Sequence, residues 1–278
     1  MRRAVASVAM LLLLAVGCGG NGDSGADARQ ALSETAAKLG EIRSGILDVR
    51  VVVDPKAGDA ERVGFELHGP FALPPGGGPA EFRIDYTQFG DTSATVTLTA
   101  AGGKAFVTVG DETYALPAEQ QLQLLRAGEA VSARGLERLA IDDWLVDPKM
   151  SDGDEIAGDE TDRVEARLDV PYATRALLQL AESFGVPETR ALDPADVKRL
   201  REAAEEARIE VLTGEADRLL RRLTIDVDLG LDVPKVLGAA FGSAVGAKLE
   251  LELTVENPNE PVAIEAPARA RPASELPG

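Results

Sequence analysis

Residues 223–231 have the sequence LTIDVDLGL, and residues 249–256 have the sequence LELELTVE. In both segments aliphatic side chains alternate with Thr, Asp or Glu, which is the period of a β-strand with one dry face and one solvated face. A shift of one residue in the pairing would carry every acidic side chain into the apolar layer. The two segments therefore predict strands of fixed register within one sheet.

The same alternation recurs along the chain and predicts about ten strands in all. It is present in residues 47–53, 63–67, 82–86, 94–99, 105–109, 164–170 and 209–213. Since consecutive strands are joined by turns, antiparallel pairing is favoured.

Helical segments are expected to cover the apolar face of this sheet. An apolar stripe at helical spacing runs through residues 27–43, and a second one through residues 172–184. Pro117 favours a helix over 118–126, and Asp193 as N-cap with Pro194 predicts another over 194–207. The order of elements predicts an α+β fold with one large curved antiparallel sheet, an open half-barrel, and helices packed on its concave face.

The N-terminus has the pattern of an export signal. Arg2 and Arg3 precede an apolar run over residues 4–16, which is too short to span a bilayer. Small residues lead directly into Cys18, the single cysteine of the chain. This run resembles the lipobox of bacterial lipoproteins, which implies cleavage before Cys18 and diacylglycerol on its sulfur. An ordinary secretory signal with an incidental cysteine is the alternative.

The remaining chain divides into a tether, a domain and a tail. We predict a signal peptide over 1–17, a flexible tether over 18–27, a folded domain over 28–265 and a disordered tail over 266–278. The net charge of −18 disfavours a nucleic-acid partner and repels anionic lipid headgroups. We therefore expect membrane contact through the acylated cysteine alone, on the extracytoplasmic face of the cell membrane.

The apolar stretch from Val236 to Ala247 has glycines at four-residue spacing. This spacing is found where membrane helices dimerise, but the stretch is shorter than a membrane span. An apolar loop or short helix between two strands is the favoured interpretation, and it could touch lipid.

The pieces together resemble the LolA-like superfamily, in particular lipoproteins of the LppX and LprG type. The resemblance is carried by LAIDDWLVDP at residues 139–148, by GDEIAGDETDRVEARLDV at 153–170 and by IEVLTGEADRLLRRLTIDVDL at 209–229. Proteins of this superfamily form an open half-barrel with helices on the concave side, and several hold lipid or lipoglycan chains there. The resemblance implies that the apolar strand faces line either a packed core or a lipid cavity. The candidate lining residues are Phe65, Leu67, Phe82, Ile84, Tyr86, Val96, Leu98, Leu223, Ile225 and Val227.

Polar chemistry offers little support for an enzyme. His68 is the only histidine and falls on the polar side of its strand, and no Gly-x-Ser-x-Gly or phosphate-binding loop is present. The acidic residues of 151–160 lack the spacing of an EF-hand and predict a solvated turn. Trp144 is expected in the core between helix and sheet, with a ligand platform as the alternative. We predict no metal, cofactor or catalytic residue.

Two functions from different classes remain. The first is a monomeric, membrane-anchored lipoprotein that binds or carries a lipid or lipoglycan between sheet and helices. The second is a structural or protein-binding envelope lipoprotein whose interior is filled by its own side chains. An enzyme would require a cleft with a perturbed acid or nucleophile.

Overall fold

A computed structural model describes residues 24–56, 61–74, 79–90, 93–121, 141–183, 193–230 and 246–275, with the side chains of 24, 142 and 177–183 left aside. Within these ranges one sheet of twelve strands contains β1 (Ser44–Pro55), β2 (Val63–Ala72), β3 (Glu81–Phe89), β4 (Ala94–Ala101), β5 (Lys104–Val109), β6 (Glu112–Ala115), β7 (Leu145–Asp152), β8 (Thr161–Leu168), β9 (Ala204–Gly214), β10 (Leu220–Leu229), β11 (Ala247–Glu256) and β12 (Arg271–Pro272).

The strand order across the sheet is β12-β6-β5-β4-β3-β2-β1-β11-β10-β9-β8-β7. All neighbouring pairs are antiparallel except β12 and β6, which are parallel. Two runs of consecutive strands, β1–β6 and β7–β11, meet where β1 pairs with β11. The predicted α+β class with a large, open, curved antiparallel sheet is confirmed.

The register places most apolar residues of the central strands on one face, although Val52 and Leu212 are buried on the other face. Leu251 lies between Val51 on β1 and Ile225 on β10. Because successive side chains of a strand point to opposite faces, every second residue of these three strands lies on the same face as this row. The opposite face of the same strands is charged. Arg50 and Glu66 form an ion pair of 2.6 Å there, and Arg163 and Glu210 form another of 3.1 Å.

Three helices are described: α1 (Ser24–Lys38), α2 (Val170–Ser183) and α3 (Pro194–Ala203). The α1 helix begins within the segment predicted as a tether. The α3 helix begins as predicted, because the Asp193 carboxylate accepts hydrogen bonds of 2.8 Å from the backbone N–H groups of Ala195 and Asp196. Residues 118–121 are helical, and the rest of the helix predicted over 118–126 lies outside the described residues. So does most of the apolar loop at 236–247.

The described helices cover only part of the apolar face. The α1 helix packs on β7 and β9, α3 packs on β9, and α2 contacts α3 and the 3₁₀ turn Ile141–Trp144. Trp144 is 1% exposed and lies in the resulting core, in agreement with the first of its two interpretations. The strands beneath these helices contribute the buried residues Val164, Leu168, Ile209, Val211, Leu223, Ile225, Val227 and Leu229.

Both edges of the sheet are modified. On β7 the pairing shifts between Val146 and Lys149, where Asp147 has a φ of 54° and Pro148 follows. Such a bulge protects an edge strand from pairing with another chain. At the other edge β12 pairs with Tyr114 and Ala115 of β6.

The β12 strand belongs to the segment that the sequence predicts as a disordered tail. The structure instead gives Arg271 and Pro272 a partner strand, and Arg271 lies 2.7 Å from Glu112. The unpaired backbone groups of the β6 edge supply the partner that composition alone does not reveal.

The packed half of the sheet should be sensitive to cavities. Ile225→Ala removes a side chain that is 3% exposed, and we expect a loss of about 3 kcal/mol in the free energy of unfolding. Thr224→Ala changes the neighbouring residue on the opposite face and should cost less than about 1 kcal/mol. Urea denaturation of both variants measures the difference. Equal losses would contradict the assigned faces.

Candidate functional site

The apolar face continues beyond the described helices onto β1–β4. There the register places its residues side by side, with Val49 opposite Leu67, Leu67 opposite Tyr86, and Tyr86 opposite Val96. These side chains are neither buried nor fully exposed. We call this surface the apolar wall. It consists of Leu47, Val49, Val51, Phe65, Leu67, Phe71, Phe82, Ile84, Tyr86, Val96 and Leu98, and it ends on β3 with the polar residue Gln88.

The structure divides the ten candidate lining residues into two groups. Leu223, Ile225 and Val227 are 3–8% exposed and belong to the packed core beneath the helices. The other seven lie on the apolar wall, where Ile84 is buried at 8% exposure and six are half-buried: Phe65, Leu67, Phe82, Tyr86, Val96 and Leu98. Their contact with a ligand stays a prediction.

The wall has two different ends along its strands. At one end Ala100 and Ala105 are opposite each other and completely buried, and we call this the closed end. At the other end Gln88 and Ala94 are opposite each other and both exposed, and we call this the open end. The wall is thus accessible to solvent from one direction.

Aromatic rings stand near the open end. The rings of Phe65 and Tyr86 have centroids 6.1 Å apart and an interplanar angle of 29°. The Tyr86 hydroxyl donates a hydrogen bond of 3.3 Å to Oε1 of Gln88. The open end therefore combines a flat apolar surface with uncharged polar groups.

Polar clusters that could support other chemistry are sparse in the described part of the chain. His68 is exposed on the charged face, where its Nδ1 lies 2.7 Å from Oδ1 of Asp48. No group of three or more His, Cys, Asp or Glu side chains in the described ranges comes together to hold a metal ion. None of the helices described is long and apolar enough to cross a membrane.

An open polar pocket of about 440 Å³ surrounds Arg221. The Arg221 side chain is 5% exposed, and its Nη2 donates to Asp159 at 2.8 Å and to Asp217 at 2.9 Å. Its Nη1 donates to the carbonyl of Leu219 at 3.3 Å. Because the buried cation is satisfied by these partners, the cluster joins the turn before β8 to the turn between β9 and β10.

The Asp217 carboxyl is electrostatically coupled to this cluster. Burial acts to raise its pKa, but hydrogen bonds from Arg221 and from the backbone N–H of Leu219 act in the opposite direction. The positive charges of Arg221 and Lys38 add to them and hold the pKa below its usual value. The ionised form of Asp217 is therefore favoured in the folded protein.

A second open pocket of about 550 Å³ lies between the start of α2 and the first residues of β9. Its lining mixes both charges, with Arg167, Arg201 and Arg208 beside Asp169, Glu205 and Glu206. One of these arginines pairs with a residue outside the lining: Nη2 of Arg167 donates a hydrogen bond of 2.5 Å to Oδ2 of Asp147. The pocket has no continuous apolar surface comparable to the wall.

Comparison with solved structures places this arrangement in a known fold. LprF from Mycobacterium bovis superposes with a TM-score of 0.50 at 16% identity, covering 88% of this chain and 98% of LprF. The chain shares the fold of LprF. The lipoprotein LppX from Mycobacterium tuberculosis matches at a TM-score of 0.41 and 13% identity, covering 86% of this chain and 99% of LppX.

A DUF1329 family protein from Desulfovibrio piger matches at a TM-score of 0.25 and 8% identity, with coverages of 86% and 95%. No protein-family model matches the sequence, and no curated protein matches it. At these identities the likeness concerns the fold alone.

Two features of the domain were not recognised in the sequence analysis. Arg221 interrupts the alternation just before Leu223, but its carboxylate partners come from a separate turn and from the hairpin loop. The hydrogen bond between Tyr86 and Gln88 could have been predicted, because residues i and i+2 of a strand lie on the same face. Gln88 follows Tyr86, the last apolar residue on the wall side of its strand.

The Arg221 cluster predicts a pH-dependent contribution to stability. The pKa of Asp217 is lower in the folded protein than in the unfolded chain, where it is about 3.9. The ionised carboxylate therefore adds to the free energy of unfolding in full above that value, and this contribution is lost as the pH falls through the folded pKa. Asp217→Asn should therefore be less stable than the wild type at pH 7. The difference in free energy of unfolding between the variant and the wild type should decrease below about pH 4.

Urea denaturation at several pH values measures this difference. The exposed Glu215 lies in the same turn, and Glu215→Gln should stay within about 0.5 kcal/mol of the wild type at pH 7. A difference for Asp217→Asn that keeps its size at every pH would argue against the assignment.

Proposed function

We propose that this protein is a membrane-anchored lipoprotein that binds or carries a lipid or lipoglycan chain against the apolar wall. The observation that carries the proposal is the half-buried apolar face of β1–β4 in a LolA-like fold. A packed core would bury these side chains, as it does Ile225 and Val227 on the same face. The role is one of binding, without a chemical step.

The dimensions of the wall suit an acyl chain. Phe82 and Gln88 are the two ends of the wall on β3, and six residues of strand span about 20 Å. One leaflet of a bilayer has a hydrocarbon thickness of about 15 Å, half of the full core. Transfer of a chain of about 16 carbons from water releases roughly 12 kcal/mol before ordering costs. Apolar contact alone can therefore retain such a ligand.

The direction of α1 supports delivery to the anchoring membrane. The hydroxyl groups of Thr35 and Thr213 lie 2.8 Å apart toward the closed end of the strands. The same helix also packs on Ile141–Trp144, which precede β7 at the opposite end. A helix of 15 residues is about 22 Å long, so its first residues point toward the open end.

Cys18 lies six positions before the first residue of α1. Fully extended, those residues reach about 20 Å. An acyl anchor at Cys18 therefore keeps the open end near the extracytoplasmic membrane surface. A lipid can pass between bilayer and wall over a short path.

Occupancy of the wall can be tested directly. Detergent-free protein should release a lipid on organic extraction, detected by mass spectrometry. Leu98→Gln places an amide on the wall, where an unpaired buried amide costs about 1–3 kcal/mol, and we expect at least about a tenfold loss of lipid affinity.

Thr95→Gln is the matched control, because Thr95 is exposed on the opposite face of the same strand. It should bind lipid like the wild type. Protein that yields no lipid and binds none, with a wall filled by its own side chains, would instead support the structural or protein-binding role.

Anchoring requires the sulfur of Cys18. Cys18→Ser should move the protein from the membrane fraction to the soluble fraction, since one or two acyl chains supply the attachment. Cell fractionation with immunodetection measures the shift, and Ser24→Ala serves as a control beyond the lipidation site. Continued attachment of Cys18→Ser after a high-salt wash would refute the acyl anchor.

A further inference from the structure

The apolar wall changes character along its length. On β3 its residues are Phe82, Ile84, Tyr86 and Gln88, in order from the closed end to the open end. The hydrocarbon side chains stand at the closed end, followed by a ring with a hydroxyl group and then by an amide. A ligand that matches this order has an apolar chain and a polar end.

The polar groups at the open end are free to bind a ligand. Hydrogen bonds between two oxygens are usually about 2.7–2.8 Å long, and the 3.3 Å contact from Tyr86 to Gln88 is weaker than that. Among the described residues the amide N–H groups of Gln88 have no protein partner. A ligand oxygen can accept from either side chain at little cost.

The charges around the wall select against an anionic headgroup. Within β1–β6 the wall-side positions include no Lys or Arg, whereas Arg50 and Arg83 lie on the opposite face. At the open end Glu112 is exposed, and its carboxylate already pairs with Arg271 at 2.7 Å. This ion pair is separated from Tyr86 and Gln88 by β4 and β5, and the wall-side positions of β1–β6 offer a phosphate no cation to pair with.

We propose that the open end is a headgroup site in which Tyr86 and Gln88 bind the hydroxyl groups of an uncharged glycerol or sugar headgroup. This inference rests on the proposed function and adds the orientation and the class of the ligand. The acyl chain lies along the wall toward Phe82, and the headgroup stays at the solvent-accessible end.

The experiment compares three probes of equal chain length: monopalmitoylglycerol, palmitoyl lysophosphatidic acid and hexadecane. Full-length protein carrying Cys18→Ser is used, with affinities from displacement of a fluorescent fatty-acid probe. The wild type should bind monopalmitoylglycerol at least about tenfold more tightly than the lysophosphatidic acid. Tyr86→Phe and Gln88→Leu should each weaken monopalmitoylglycerol binding about 3- to 10-fold and change hexadecane binding less than about twofold.

Thr87→Val is the matched control, because Thr87 lies between the two residues on the opposite face. It should leave the binding of all three probes unchanged. Equal affinity for the glycerol and phosphate headgroups, or equal losses for monopalmitoylglycerol and hexadecane in both variants, would overturn the headgroup site while the proposed lipid binding stands. Failure of all three probes to bind would overturn the proposed function as well.

Discussion

The antiparallel pairing of β10, β11 and β1 is the constraint on which the rest of the structure depends. Leu251 lies between Ile225 and Val51, and each neighbouring position alternates in the same sense. The acidic residues of these strands therefore stay on the solvated face, and a shift of register by one residue would bury them. Because this junction joins β1–β6 to β7–β11, it aligns two hairpin series into one continuous apolar surface.

The two halves of that surface then differ in how they are covered. The described helices lie over β7–β10, where Ile209, Val211 and Ile225 are at most 3% exposed. The wall on β1–β4 presents similar side chains at intermediate exposure. A single sheet thus provides a rigid, packed support and an accessible apolar surface of the same chemistry. Stability and the proposed ligand binding therefore depend on different residues.

The faces of the strands could be predicted from the sequence because a period of two is a local property. Phe65 and Leu67 were placed correctly on the same face as Phe82 and Ile84 for this reason. Coverage could not be predicted, since Leu223 and Leu98 have the same local pattern, but only Leu223 belongs to the core formed with the described helices.

Polar contacts between residues that are far apart in the chain could not be predicted from the sequence either. Asp159 lies 62 positions before Arg221, and nothing local indicates their pairing. The N-cap of α3 was predicted because Asp193 acts on backbone groups only two and three residues away. Sequence reasoning therefore succeeded where the partners are neighbours in the chain. It failed where the fold brings distant groups together.

The position of β12 has a consequence for biosynthesis. β11 ends in the middle of the sheet, and the chain then crosses from Asn259, whose backbone N–H donates to Ser44, to the outer edge at β6. Since the ribosome synthesises β12 long after β6, the outer side of β6 has no partner until β12 has emerged. An unpaired edge can recruit a strand from another molecule. The β12 strand therefore limits self-association of the newly synthesised chain.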